Sequence, residues 1–213
     1  MKIGIFDSGI GGEAVARDLK VHFPEATIVS VSDRANLPYG SKTPEHIIAL
    51  TDAALQPLLA AQCDVIVIAC NTATTNALST LRQRYPRQQF IGIEPMIKTA
   101  ASLTKHNIIT VCATPATLAS PRYKQLKELY AARLTVHEPD CSSWASMIEA
   151  DTVQTETIRA AVEPTLAEGA DVVVLGCTHY HWIQQLIETT VDNRARVIQP
   201  TDSIASRISQ LVG

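Results

Sequence analysis

Two stretches of this chain, half a molecule apart, repeat each other and lead into a cysteine. Asp64-Val65-Ile66-Val67-Ile68-Ala69-Cys70-Asn71-Thr72 aligns without a gap on Asp171-Val172-Val173-Val174-Leu175-Gly176-Cys177-Thr178-His179. In each, an acidic residue precedes four aliphatic residues, a small residue, the cysteine and then an amide or hydroxyl residue. A continuous apolar run of this length reads as a parallel strand covered on both faces. Its cysteine then falls at the carboxyl edge of the sheet, where open α/β folds place their ligand sites. Two equivalent thiols on two equivalent halves predict one site between them, able to act on a substrate from two sides.

The rest of the chain keeps the same rhythm. Strands are predicted at residues 3–6, 27–31, 65–69 and 90–93, then at 108–112, 134–137, 172–175 and 196–198. Helical segments fall between them: 13–22, a long one from Thr43-Pro44-Glu45 through Leu59, 74–84, 123–130, 155–168, 183–190 and one from Ser203. A proline in the first turn after a threonine is a helix-start signal. Strand–helix alternation predicts parallel sheets. Cys70 and Cys177 are 107 positions apart, and the same offset carries Asp7 onto Thr114. The expectation is therefore an internal duplication: two pseudo-equivalent doubly wound α/β domains, residues 1–96 and 97–196, with the site at their interface. The segment from about 197 to 213, the last strand and helix, is a candidate to cross back and complete the first domain.

Composition narrows the function. The net charge is −3, only 18% of residues are charged and 5% aromatic, so no basic surface for nucleic acid or anionic lipid is expected. No run approaches the length of a membrane span, and the amino terminus lacks the apolar region of a signal peptide. Five cysteines, an odd number in a chain large enough to build its own core, suggest a reduced, cytoplasmic setting.

Cys63, Cys112 and Cys141 read as buried packing, the usual role of an isolated cysteine. Cys70 and Cys177 differ, because each is followed by cap-type residues at a strand-to-helix turn. Such a turn offers backbone N–H groups to a carboxylate and would lower a thiol pKa. One thiolate and one thiol at rest are expected. Asp7-Ser8-Gly9-Ile10-Gly11-Gly12 is a second loop at the same sheet edge. A dinucleotide fingerprint fits it poorly: Ala14 stands at the third glycine position, and Asp7 would repel a pyrophosphate. Cys177, His179 and His181, with Cys70, could hold zinc, but without the C-x-x-C spacing of structural sites. His22, His46, His106 and His137 form no ligand motif in the sequence and read as surface or satisfied helix-end residues. Glu149 reads as an exposed carboxylate on a helix.

Taken in order, Phe6-Asp7-Ser8-Gly9-Ile10-Gly11-Gly12, Pro38-Tyr39-Gly40, Ala69-Cys70-Asn71-Thr72-Ala73, Ile93-Glu94-Pro95 and Gly176-Cys177-Thr178-His179-Tyr180 resemble glutamate racemase. The resemblance spans nearly the whole chain. It implies a cofactor-independent, metal-free isomerase that interconverts L- and D-glutamate and supplies D-glutamate for peptidoglycan. By resemblance, Cys70 and Cys177 are the two bases, Asp7 assists Cys70, and His179 with Glu149 assists Cys177. Ser8, Tyr39, Gly40, Asn71, Thr72, Thr114, Thr117 and Thr178 join Asp7 and His179 in the substrate pocket. The partner is a small amino acid, and a homodimer is an open assembly. Inverting Cα removes a proton from one face and delivers one to the other, which suits two flanking acid–base groups.

Four departures from the family pattern stand out. Glu13 and Met96 occupy positions usually apolar and glycine, His181 replaces a proline, and the sequence ends at Gly213 where family members usually continue. Met96 and His181 are expected to reshape pocket depth, and aspartate is the alternative substrate, since one methylene gives only ~1–3 kcal/mol of discrimination. A racemase-fold binding protein without activity is the non-enzymatic alternative.

Overall fold

The computed structural model describes residues 1–212, the side chains at 202 and 212 apart. The first half runs β1 (Lys2–Asp7), α1 (Gly11–His22), β2 (Thr27–Ser32), α2 (Pro44–Ala60), β3 (Val65–Ile68), α3 (Asn71–Arg84) and β4 (Gln89–Gly92). After α4 (Ile97–Leu103) the second half runs β5 (Ile108–Ala113), α5 (Pro115–Ala119), α6 (Pro121–Tyr130), β6 (Thr135–His137), α7 (Trp144–Glu149), α8 (Thr155–Ala167), β7 (Val172–Gly176), α9 (Gln184–Val191) and β8 (Arg196–Ile198). Helix α10 (Thr201–Val212) ends the described chain, and Gly213 lies outside it. The predicted start of α2 is built as expected: Pro44 is in the first turn, and Thr43 Oγ1 accepts the His46 N–H at 3.4 Å.

The strands form two four-stranded parallel sheets of identical order, β2-β1-β3-β4 and β6-β5-β7-β8. Alternate side chains feed two cores per sheet. In the first sheet Ile3, Ile5, Val65 and Val67 face α1 and α10, while Phe6, Ile66 and Ile68 face α2 and α3. In the second, Ile109, Val111, Val172 and Val174 face α4 and α6, while Cys112, Val173 and Leu175 face α7, α8 and α9. Burial on both faces is why these strands read as unbroken apolar runs.

The halves exchange helices. Helix α4 follows the last strand of the first sheet, yet Ile97 and Ala100 pack on the second. Helix α10 follows the last strand of the second sheet, yet Ile204, Ala205 and Ile208 pack on the first. The expectation that the last strand and helix return together is thus corrected: β8 pairs with β7, and only α10 crosses.

The register corrects a second expectation. Phe6 pairs with Ile68, whereas Cys112 pairs with Leu175. Aligned on their cysteine strands, Asp7 is therefore equivalent to Ala113, and Thr114 to Ser8. The constant offset is one residue out because the link between first and third strands differs in length between halves.

Candidate active site

The strand order reverses between β1 and β3 and again between β5 and β7, the switch points at which open sheets bind ligands. Asp7, Ser8 and Cys70 stand at the first, and Thr114 and Cys177 at the second. The two edges face each other. Thr178 Oγ1–H donates to Asp7 Oδ1 at 2.9 Å across the interface, and a methyl on Gly11 would lie 2.6 Å from Thr178 Cβ. Only glycine lets the loop pass that close.

Cys70 is itself the cap of α3: its Sγ accepts the Ala73 N–H at 3.4 Å and lies 3.3 Å from Ser8 Oγ. Because the cysteine is the cap, α3 begins at Asn71, three residues before its expected start. Cys177 precedes a 3₁₀ segment, Thr178–Ile183, and its Sγ lies 3.7 Å from His179 Nδ1. The other ring nitrogen, His179 Nε2, is 2.6 Å from Glu149 Oε1. Glu149 Oε1 also accepts the Ile10 N–H at 2.8 Å, and Arg34 Nη2 donates to Oε2 at 3.3 Å. The expectation of an exposed Glu149 is corrected, since its side chain is only 17% exposed. Helix α7 turns it inward because the surface it meets comes from the other half of the chain.

Both thiols are buried. Burial, then the Asp7 carboxylate, pushes the Cys70 thiol up to about 11 against the weaker pull of its Ser8, Ala73 and Thr72 hydrogen bonds. Burial, then the Cys70 and Asp7 charges, holds the Cys177 thiol well above its ordinary value. The expectation of a lowered pKa and a resting thiolate is thereby corrected: desolvation outweighs the helix-end N–H groups. Asp7 is likewise raised by burial, against the opposing pull of His179, the Gly9 and Gly12 N–H groups and Thr178.

The two sulfurs share one small cavity of about 70 Å³, lined also by Ser8, Leu37, Pro38, Tyr39, Gly40, Ser41, Thr72, Thr114, Pro115, Ser142, Ala145 and His179. Thr72, Thr114 and Thr117 form a hydroxyl triangle with Oγ1 separations of 2.8, 3.0 and 3.3 Å. Gly40 passes so close that a methyl there would lie 2.8 Å from Thr114 Cβ. Buried Tyr39 donates its O–H to Asp33 Oδ2 at 2.7 Å. Asp7, Asn71, Thr117 and Thr178 stand outside this lining. Asn71 is buried with both amide atoms lacking a hydrogen-bond partner among the described residues.

Several features were missed in the sequence. Arg34, Ser142 and Ala145 carry no motif; only the Pro38-Tyr39-Gly40 triplet hinted at the wall that Ser142 and Ala145 complete. Met96 and His181, expected to reshape pocket depth, line no part of the cavity. Met96 packs beside the second core, and burial pushes the His181 ring down to about 4, with Asp18 and His179 nearby. The zinc geometry is absent: among the described residues no three His, Cys, Asp or Glu side chains converge as metal ligands. A larger groove of about 980 Å³, lined in part by Arg82, Glu94 and Arg122, contains neither Cys70 nor Cys177.

Comparison with known proteins gives the family. The profile of the Asp/Glu/Hydantoin racemase family matches residues 13–208. The chain belongs to that family. Membership makes it an isomerase of the racemase class. The glutamate racemase of Herpetosiphon aurantiacus is 38% identical, over 99% of this chain and 84% of its own. The structure of Escherichia coli glutamate racemase with L-glutamate and the activator UDP-MurNAc-Ala aligns at a TM-score of 0.88 and 27% identity, covering 99% of this chain and 81% of that one. Glutamate racemase from Francisella tularensis with D-glutamate aligns at 0.85 and 27% identity, covering 99% and 80%. Among the described residues of this racemase, no helix is long and apolar enough to cross a membrane.

Proposed function

We propose that this racemase interconverts L- and D-glutamate by a two-base proton transfer, Cys70 serving one face of Cα and Cys177 the other. The observation that carries the reading is the single cavity into which both buried sulfurs open from equivalent strand ends. Relatives that hold L- and D-glutamate support the choice of substrate. The raised thiol pKa values support a site that ionises only when occupied. The substrate's α-ammonium brings a positive charge into the cavity, lowering the cost of a thiolate beside it. Asp7, near Cys70, and the His179–Glu149 pair, near Cys177, accept or return the thiol protons.

The remaining groups bind. The unpartnered Asn71 amide finds its missing partners in the substrate, as buried amides require. The Ser8, Thr72 and Thr114 hydroxyls, with Tyr39 and Gly40 on the facing wall, hold the two carboxylates and steady the developing carbanion, while Thr117 and Thr178 stand behind them, bonded to Thr114 and Asp7. A cavity of about 70 Å³ is too small for an amino acid. Substrate entry therefore requires the walls at 37–41 and 142–145 to part. In the cell the enzyme acts in the cytoplasm to supply D-glutamate for peptidoglycan.

The test follows optical rotation and α-proton exchange of L- and D-glutamate in D2O, with aspartate in parallel. Inversion with deuterium incorporation from either glutamate enantiomer is expected. A clear preference in kcat/KM for aspartate replaces the substrate and leaves the two-thiol scheme standing. Binding without inversion or exchange defeats the scheme.

A further inference from the structure

Glu149 uses its two oxygens unequally. Oε1 takes both the Ile10 N–H and the His179 ring, at 2.8 and 2.6 Å. Oε2 has one bond, to Arg34 Nη2 at 3.3 Å. A carboxylate's terminal torsion is broad and two-fold, so a hold on Oε2 in addition to Oε1 fixes the plane in which the group meets the imidazole. Arg34 comes from the other half of the molecule. It opens the short 3₁₀ turn Arg34–Asn36, which runs directly into the cavity wall at 37–41. Asp33 anchors that turn by accepting Asn36 Nδ2–H at 2.9 Å and the Tyr39 O–H at 2.7 Å.

Leu37, Pro38 and Ala145 line the inner cavity, and with Ser146, Glu149 and Ala150 they also line an outer chamber of about 270 Å³. Glu149 thus lines a chamber that adjoins the cavity, and a bare carboxylate there would repel an acidic amino acid. We propose that Arg34 is a positioning residue for the second-face acid–base pair, holding Glu149 across the interface so that His179 stays aligned on Cys177. The proposal rests on the two-base reading above.

Arg34 is 56% exposed, so its ion pair adds little to folding. Its effect is expected on the geometry of the pair. Charged and titratable groups around Glu149 are Arg34 and His179, with Asp7 and Cys177 beyond the ring. Burial opposes ionisation of Glu149, but the Ile10 N–H, His179 and Arg34 together hold its carboxyl below the ordinary value.

The experiment compares Arg34→Ala, Arg34→Lys and Glu149→Gln, alone and combined, in the full-length enzyme. For Arg34→Ala, kcat is expected to fall roughly tenfold, short of the 10²–10⁴ of a general acid–base group itself. The acid limb of its pH profile moves upward as Glu149 loses a cation. Arg34→Lys restores most of both, and Arg34→Ala has no further effect on top of Glu149→Gln. Thermal unfolding stays unmoved. In ¹⁵N-histidine spectra, assigned with His179→Asn, the His179 ring signals shift in Arg34→Ala. An unchanged pH limb with unmoved His179 signals overturns the proposal. Wild-type protein that neither racemises nor exchanges glutamate defeats the two-base reading instead, and the histidine spectra still decide the role of Arg34.

Discussion

The two cysteine edges are alike in backbone and unlike in chemistry. Cys70 caps a fourteen-residue helix and is flanked by a hydroxyl and a backbone N–H. Cys177 opens a six-residue 3₁₀ segment and meets an imidazole that is itself held by a carboxylate. The two sheets of identical order supply two equivalent strand ends, and the side chains that follow make one edge dipolar and the other titratable. For a racemase this inequality has a defined signature. Enantiomers have equal free energies, so kcat/KM must be the same in both directions. Any difference between the faces must appear in kcat and KM separately, or in the isotope effects of α-deuterated L- and D-substrate.

The largest expected effect removes the symmetry altogether. Cys70→Ser and Cys177→Ser should each lower kcat/KM by ~10²–10⁴-fold, since each deletes the acid–base group of one face. The assay is racemisation followed by circular dichroism. If either variant keeps wild-type turnover, that sulfur is not a base and the two edges are not functional counterparts.

Smaller changes sharpen the contrast. His179→Asn removes the titratable partner of Cys177, and a loss in kcat of roughly 10² is expected. Ser8→Ala removes only a hydrogen bond at Cys70, worth about 1 kcal/mol or a fewfold in rate. The two variants should shift the L- and D-substrate isotope effects in opposite senses. Equal shifts would mean that the faces share one proton-transfer network.

The pH profile reads the same site without mutation. With the Cys70 thiol pushed up to about 11, its thiolate fraction below that value climbs about tenfold per pH unit. Because kcat/KM reports the free enzyme, it should rise steadily between about pH 7 and 9. A flat profile over that range would mean a thiolate already formed at rest.

The resting ionisation shows where the sequence stops being informative. The cysteine-ended strands, the 43–60 helix start and the motif residues at both sheet edges could be read directly, because strand burial and helix caps are local signals. The depth of burial around Cys70 and Cys177 is not local. It depends on two halves closing over each other, and it reversed the expected direction of the thiol pKa values. Glu149 failed for the same reason, since the groups that draw it inward, Ile10 and Arg34, lie more than a hundred residues earlier. The one-residue slip between Asp7 and Thr114 was hidden because a constant offset ignores loop length. Helix α4 escaped notice because Ile97 and Ala100 acquire an apolar face only on the second sheet.

The smallest expected effect concerns stability, and it separates the edges once more. Asp7 is buried on the Cys70 side with Thr178 and Gly9 donating to its two oxygens, and burial raises its pKa above 3.8 in the fold. A raised folded-state pKa means that the native state binds the proton more tightly than the unfolded chain does. The stabilisation is full below the unfolded value and is lost as pH climbs through the folded value. Asp7→Asn carries no such loss. Its amide oxygen still accepts from Gly9, and Thr178 can turn its hydroxyl to accept from the amide nitrogen. Relative to wild type, the variant should therefore gain stability from pH 4 to pH 8, while activity falls. Thermal midpoints at the two pH values measure the gap. A gap that does not widen with pH would show that the neighbours of Asp7 compensate its burial in full, leaving the Cys70 edge as relaxed as an ordinary hydrogen-bonded loop.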